Sequence, residues 1–250
     1  MAAAEVAENE VFTDVAQHLQ DLVLDSREVG QFLDELAAYS AARLSGPGRT
    51  VSCGISVVRQ KKATTMAGSS PCARVMDQLQ HQYGDGPCLT AMRDRVTVLV
   101  PDLRREKRWP AYVQAVNGLE TLSVVGVPLP LDSPSQGALN LYSKQPHAFS
   151  GQAIARVEAF VEQASKGLQL ALRLGQLQET RDNMRAAMKS RTIIDLATGA
   201  IMAKNRCSQN AAFKVLLHAS NTRNIKIQDV AARVVSSISG ADATFTYFDE

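Results

Sequence analysis

The chain contains few of the residues that build reactive or metal-binding centres. Its 250 residues include four cysteines, four histidines and one tryptophan. The cysteines (Cys53, Cys72, Cys88 and Cys207) form no C-x-x-C pair, and the histidines are scattered without metal-ligand spacing. The sequence also lacks a Walker loop and a G-x-S-x-G motif. We therefore predict no catalytic centre, no metal site and no bound cofactor.

Long apolar runs are missing as well. No uninterrupted apolar stretch approaches the roughly 20 residues that a membrane helix requires. The first residues, MAAAEVAENEVF, are acidic and lack a positively charged region followed by an apolar one, so they do not resemble a secretory signal. Apolar residues still make up 45% of the chain, which is ordinary for a folded protein. These features predict a folded cytoplasmic protein without a membrane segment.

The charges are unevenly distributed, although the net charge is only +2. Residues 179–240 contain ten Lys or Arg and four Asp or Glu, a net charge of +6, so the rest of the chain carries −4. A concentration of positive charge in a small region is typical of a protein that binds a polyanion. The alternative is an ordinary solvated helix surface.

The first 150 residues combine helical and strand patterns. Residues 9–44 have helical spacing, and the apolar positions begin with Phe12, Val15 and Leu19. After Ser45-Gly46-Pro47-Gly48 the period changes to two, because Val51, Cys53, Ile55 and Val57 alternate with small or polar residues. Further strands are predicted at 61–67, 96–100, 121–129 and 137–142, and further helices at 73–82, 88–92 and around Trp109 and Tyr112. In helix 73–82 we expect the inward residues to be Val75, Met76 and Leu79. This mixed order predicts an α+β sheet domain.

From Gly151 onward the helical pattern is nearly continuous. Six apolar residues recur at steps of three and four, as in a coiled coil: Ile154, Val157, Val161, Ala164, Leu168 and Ala171. A second stripe, Leu170, Leu174 and Leu177, lies on another face and needs a different partner. The same helix of a second chain is the simplest partner, so we predict a homodimer. The alternative for the helix is a break into two helices near Gly175.

Three helical patterns follow in residues 184–238. The first helix has five apolar residues on one face: Met184, Met188, Ile194, Ala197 and Ile201. The second helix begins after Ser208 and aligns Phe213, Leu216 and Leu217. The third helix aligns six apolar residues: Ile227, Val230, Ala231, Val234, Val235 and Ile238. Each helix alone is too short to persist in water. The pattern therefore predicts a small C-terminal three-helix bundle.

Several short motifs occur in order in the first part of the chain: Asp85-Gly86-Pro87-Cys88, Val100-Pro101-Asp102-Leu103, Arg108-Trp109-Pro110, Val127-Pro128-Leu129 and Gly137-Ala138-Leu139-Asn140-Leu141-Tyr142. Together these motifs resemble those of a GAF sensor domain. This resemblance implies an antiparallel sheet with flanking helices over residues 30–175, after a helical lead-in at 1–29. It also implies a small-molecule or protein signal, and we place a ligand pocket near Cys88 and Trp109.

A series of short motifs runs through residues 184–235: Ser190-Arg191, Ile194-Asp195, Ala197, Gly199, Ile201-Met202, Ala212-Phe213, Leu216, Ala219-Ser220, Asn224, Lys226 and Val230-Ala231. In type and order these residues resemble the ANTAR domain, the RNA-binding antiterminator module of bacterial regulators. We assign the ANTAR domain to residues 176–250. Two positions depart from the family pattern. Thr198 stands where a Lys is usual, and Leu217 stands where an Arg is usual, so the module has lost two positive charges.

The ANTAR resemblance implies binding to hairpin loops of nascent transcripts. We assign RNA contact to Lys189, Ser190, Arg191, Thr198, Gly199, Ala200, Lys204, Arg206, Ser220, Asn224 and Lys226. The lysines and Arg206 suit phosphates, whereas the planar guanidinium of Arg191 suits a phosphate or a guanine edge. Gly199 permits close approach either by RNA or by another helix. Asn224 either hydrogen-bonds a base edge or caps the last helix.

Two other functions remain open at this point. A basic three-helix bundle is also compatible with a DNA-binding transcription regulator. The chain is also compatible with a ligand-sensing or redox-active GAF protein whose tail serves only for dimerisation, since some GAF proteins reduce methionine sulfoxide with pocket cysteines. A homodimeric antitermination regulator that is not an enzyme agrees with most of the observations above.

Overall fold

The computed structural model describes residues 15–26, 28–46, 48–59 and 64–239. Its contacts group the chain into two units, which divide between Gly175 and Gln176. Within the described residues, no helix is both long enough and apolar enough to cross a membrane.

The N-terminal unit is built on a five-stranded antiparallel sheet. Its strands are β1 (Val51–Val58), β2 (Thr65–Gly68), β3 (Val98–Val100), β4 (Ser123–Leu129) and β5 (Gln136–Ser143). Their order across the sheet is β2-β1-β5-β4-β3. The predicted α+β fold is therefore confirmed. Strand β3 is shorter than predicted, because the exposed Val96 lies outside it.

One face of the sheet is covered by α1 (15–25), α2 (Val29–Leu44) and the first part of α6 (Gly151–Asn205). The period-two prediction for β1 is confirmed, because Val51, Cys53, Ile55 and Val57 all enter this core. Val15 and Leu19 of α1 enter the same core, whereas Phe12 lies outside the described residues. The predicted coiled-coil-like seam of α6 packs here too, with Leu168 fully buried.

Helix α6 continues without a break at Gly175. A Cβ built on Gly175 would lie 2.8 Å from Cγ2 of Val29, so the missing side chain lets α6 and α2 approach closely. Gly167 faces Leu19 in a similar way, with 3.4 Å between the built Cβ and Leu19 Cβ. These two glycines therefore serve close packing within the N-terminal unit.

The opposite face of the sheet carries α3 (Pro71–Tyr83), α4 (Pro87–Asp94) and α5 (Pro110–Val116). Helix α3 begins at Ser70, whose Oγ accepts a hydrogen bond of 3.2 Å from the Ala73 amide. The prediction that Val75 points inward is wrong, because its side chain is 39% exposed. The polar residues Asp77 and Gln80 are buried instead, at 0% exposure.

The C-terminal unit is a bundle of the end of α6 with α7 (Gln209–Arg223) and α8 (Ile227–Ser239), as predicted. Its buried core consists of Ala197, Ile201, Ala212, Leu216, Val230 and Ala231. Several residues expected on the inward stripes are instead exposed: Met184, Met188, Phe213, Leu217 and Ile238. The core stripe is narrower than predicted because small residues allow the helices to pack closely.

Candidate functional site

The turns of the C-terminal unit are fixed by specific caps. Ser208 begins α7, and its Oγ accepts a hydrogen bond of 3.3 Å from the Ala211 amide. Asn224 ends α7 with φ 50°, and its amide donates to the carbonyls of Asn221 and Ser220. Asn is among the few residues that adopt this left-handed conformation readily. Asn224 therefore caps α7, rather than the last helix, and its side chain remains exposed.

The assigned RNA-contact residues divide into an exposed group and a buried pair. The exposed residues are Lys189, Arg191, Gly199, Lys204, Arg206, Asn224 and Lys226, while Ser190 and Ala200 are half-buried. Thr198 is 3% exposed, and its hydroxyl donates to the Ile194 carbonyl at 2.7 Å. Ser220 is 9% exposed, and its hydroxyl donates to the Ile225 carbonyl at 2.6 Å. These two hydroxyls support the bundle from inside and face away from any external partner.

The positive side chains of this unit are available for intermolecular contact. Arg191 approaches Asp195 at 3.7 Å, one helical turn later, and both side chains are well exposed. A pair of this kind is worth less than about 1 kcal/mol, so a phosphate can replace Asp195 at small cost. Among the described residues, the ion pairs do not involve Lys189, Lys204 or Lys226.

Gly199 has no packing role within the described part of the chain. A Cβ built on Gly199 would meet no heavy atom within 4 Å. Close contact with another helix of the same chain therefore does not explain this glycine. Glycine inside a helix costs about 1 kcal/mol relative to alanine. The described residues therefore give no packing reason for this exposed glycine.

The second notable site is a buried polar cluster between the sheet and α3. Oδ1 of Asp77 accepts hydrogen bonds from the Tyr142 hydroxyl, from Nδ2 of Asn140 at 2.8 Å and from Nε2 of Gln80 at 3.4 Å. Gln80 also donates to the Tyr142 hydroxyl at 3.1 Å and accepts from the Cys88 amide at 2.6 Å. We name these five residues the Asp77 cluster.

The Asp77 cluster is enclosed on every side. A Cβ on Gly54 of β1 would lie 2.0 Å from Oδ2 of Asp77, so only glycine fits beneath the carboxyl group. Burial raises the pKa of Asp77 from its ordinary value of 3.8 to about 7, while the hydrogen bonds from Tyr142 and Asn140 limit the rise. Asp77 thus changes charge near neutral pH.

Three buried polar atoms around this cluster lack a partner among the described residues: Oδ2 of Asp77, Oδ1 of Asn140 and the hydroxyl oxygen of Tyr112. A buried polar atom without a hydrogen bond costs about 1–3 kcal/mol. Such atoms are uncommon in native interiors and are often found at functional sites.

The two residues assigned to the ligand pocket lie in the core around this cluster. Nε1 of Trp109 donates to Oγ1 of Thr90 at 3.1 Å, and the Arg108 guanidinium lies 4.4 Å from the Trp109 ring centroid. Burial raises the pKa of the Cys88 thiol, and the nearby Asp77 charge raises it further. The thiol therefore stays protonated at neutral pH, which is unfavourable for a nucleophile.

Sequence reasoning missed Asp77, Gln80, Asn140 and Tyr142 as site residues. The available signal was the position of Asp77 and Gln80 on the same helical face as Ala73 and Met76. Asn140 and Tyr142 are two residues apart on β5 and therefore lie on the same face of the sheet. Within the described residues, no group of three His, Cys, Asp or Glu is placed to hold a metal ion.

The chain thus combines an N-terminal α+β unit with a C-terminal helical unit. A model of the GAF domain family matches residues 8–169, and a model of the ANTAR domain family matches residues 182–235. The chain therefore belongs to the GAF domain family and carries a C-terminal ANTAR domain. GAF domains sense signals, and ANTAR domains are RNA-binding antitermination modules.

Solved structures that resemble this chain include two with GAF-type folds. The GAF domain of an Acinetobacter phosphoenolpyruvate-protein phosphotransferase is 17% identical and covers 66% of this chain and 98% of its own, with a TM-score of 0.46. The free methionine-R-sulfoxide reductase of Neisseria meningitidis, in complex with its substrate, is 17% identical and covers 67% and 93%, with a TM-score of 0.45. No curated protein matches the chain significantly.

Proposed function

We propose that this protein is a cytoplasmic, homodimeric regulator of transcription antitermination that binds hairpin loops in nascent transcripts. Its GAF domain receives a small-molecule or protein signal that is not yet identified. The observation that carries the proposal is the exposed surface of the ANTAR domain, on which Gly199 and the cationic side chains of the domain are accessible.

The residues of this surface suit the recognition of unpaired RNA. Lys189, Lys204 and Lys226 supply charge for phosphates, which gives affinity without sequence choice. Arg191 supplies a planar set of donors for a phosphate or a guanine edge. The deep groove of an RNA duplex hides its base edges, so sequence-specific proteins usually bind loops. Gly199 leaves room for a splayed loop base or for the backbone of the loop.

Dimerisation is supported by an exposed apolar stripe on α6. Leu170, Leu174, Leu177, Met184 and Met188 follow at steps of four, three, seven and four residues, and each is between 39% and 66% exposed. This spacing matches the seam of a two-stranded coiled coil. Isolated exposed apolar residues are normal, but a regular stripe of five indicates a partner surface. A second copy of α6 fits because it presents the same stripe.

Dimerisation explains how RNA binding by this protein would regulate transcription. Two ANTAR domains held by paired α6 helices can bind two adjacent hairpins of one transcript. A transcript held in that form is not free to fold into the competing terminator. A signal at the GAF domain acts by changing how the paired helices present the two domains.

The direct test is hairpin binding by the full-length protein. RNA that co-purifies with the protein is sequenced, and hairpins drawn from it are titrated in gel shifts at fixed salt. Arg191→Ala should weaken binding by about 1–3 kcal/mol. Arg93→Ala, which removes an exposed arginine of the GAF domain, is the matched control and should bind like the parent.

A competition experiment separates RNA binding from DNA binding. Duplex DNA of similar total charge should displace a bound hairpin only in large excess. Displacement at equal concentration would support a DNA-binding regulator instead. Equal affinities of Arg191→Ala and the parent for the selected hairpins would contradict the assigned RNA surface.

A further inference from the structure

A second cationic site lies in the GAF domain, away from the Asp77 cluster. It is a cavity of about 310 Å³ between the C-terminal end of α2, the turn that follows it and the first two turns of α6. The residues that line it are Arg43, Leu44, Ser45, Gly46, Arg49, Ala153, Arg156 and Val157. The lining contains three arginines and no acidic residue.

Arg49 is held in place by the protein backbone. Its Nη1 donates to the Ala148 carbonyl at 2.8 Å, and its Nη2 donates to the Leu44 carbonyl at 3.2 Å. The guanidinium also lies 5.9 Å from the centroid of the Phe149 ring. Its Nε is enclosed and has no hydrogen-bond partner among the described residues. Arg49 thus holds a fixed positive charge at the cavity.

Arg43 and Arg156 complete the site from two different helices. Both side chains are exposed, and neither takes part in the ion pairs found among the described residues. Most other arginines of this domain pair with carboxylates, as Arg74 does with Asp34 and Arg173 with Asp132. Three positive groups around one cavity repel one another, so an anion between them would relieve that repulsion.

We propose that this cavity binds a small, soluble anion that carries one or two phosphate groups. Guanidinium groups suit phosphate because their planar donors match its oxygens in bidentate geometry. Arg49 is pre-positioned, while Arg43 and Arg156 are free to close over the ligand. A volume of about 310 Å³ is enough for a diphosphate with a small organic group.

The test uses pyrophosphate as the probe and calorimetric titration of the full-length protein at constant ionic strength. The double variant Arg43→Gln/Arg156→Gln removes two charges from exposed side chains and leaves the backbone contacts of Arg49 intact. The control is Arg93→Gln/Arg173→Gln, which removes two exposed arginines outside the cavity. The cavity variant should bind pyrophosphate at least tenfold more weakly than the parent, and the control should bind like the parent.

Several outcomes would overturn the inference. One is a parent protein that does not bind pyrophosphate. Another is an equal loss of pyrophosphate affinity in the control and cavity variants, which would indicate only a general charge effect. Circular dichroism melts that match the parent show that the cavity variant is folded. Vesicles containing phosphatidic acid form a second arm, and binding to vesicles without binding to pyrophosphate would replace the soluble ligand with a lipid headgroup.

The inference does not depend on the RNA-binding proposal. The cavity variant should keep the parent's affinity for the selected hairpins, because its substitutions lie in the GAF domain. Loss of hairpin binding together with pyrophosphate binding would make these arginines part of an RNA surface and overturn the small-anion site. Loss of pyrophosphate binding in the Arg191→Ala variant would also overturn the small-anion site.

Discussion

The buried carboxyl of Asp77 should make the stability of the protein depend on pH. Its pKa is about 7 in the folded protein and 3.8 as an ordinary aspartate. Between these values the folded state holds a proton that the unfolded state has released. Asp77 therefore contributes stability that is fully present below about pH 4 and is lost as pH rises through 7.

The magnitude follows from the two pKa values. The full difference of about 3 units corresponds to roughly 4 kcal/mol, and about 3 kcal/mol of it should be lost between pH 5 and pH 8. His81 works in the opposite direction, because half-burial lowers its pKa below 6.5 and so favours the folded state at higher pH. The variant His81→Gln removes that opposing contribution and should steepen the loss.

The critical comparison is Asp77→Asn, measured by urea unfolding at pH 5, 6, 7 and 8. Asparagine keeps an oxygen to accept hydrogen bonds from Tyr142 and Asn140 but has no charge to desolvate. The parent should lose stability across this range, whereas the variant should lack that decline and keep only the opposite dependence contributed by His81. Parallel curves for the two proteins, or a parent that gains stability from pH 5 to 8, would refute the assignment of a raised pKa to Asp77.

Three further predictions concern the ANTAR domain and α6. Gly199→Ala should raise the free energy of unfolding by up to about 1 kcal/mol and weaken hairpin binding by roughly tenfold, and unchanged gel shifts would remove Gly199 from the RNA surface. Leu174→Asp/Leu177→Asp should turn a dimer into a monomer in sedimentation velocity, and a persistent dimer would exclude the α6 stripe as the interface. Asn224→Ala should cost about 1 kcal/mol in urea unfolding because alanine resists the left-handed conformation, whereas Asn224→Gly should be close to neutral, and equal effects would contradict the cap.

The elements that were predictable from sequence are those in which one local pattern decides the outcome. Strand β1 alternates apolar and small residues from Val51 to Val57, and its four apolar residues enter one core, although the intervening Gly54 and Ser56 are buried too. Ser208 was expected to begin a helix because serine accepts a hydrogen bond from a free amide, and it does so. In these cases the local preference and the tertiary contacts agree, which is usual in natural sequences.

The inward face of α3 was not predictable in the same way. Apolar spacing predicts Val75 on the inward face and does not assign Asp77 to that face. Burial of Asp77 depends on donors from β5 and on the space left by Gly54, and these residues are distant in the sequence. Spacing within one helix carries no information about partners on another element. Polar residues that form a buried network are therefore missed when each helix is interpreted alone.

Asp77 and Gly199 lie in different domains, but each lowers the free energy of unfolding of the protein. A buried carboxyl and an exposed helical glycine each lower stability by an amount that a simple substitution would restore. Proteins tend to keep such residues where a ligand, partner or signal uses them. Two substitutions test this argument. Gly199→Ala should gain stability while losing RNA affinity, and Asp77→Asn should gain stability at high pH. If the Asp77 cluster serves the sensor, Asp77→Asn should also abolish any dependence of hairpin binding on pH between 6 and 8. A pH dependence of hairpin binding that is the same in Asp77→Asn and in the parent would show that the cluster affects folding alone.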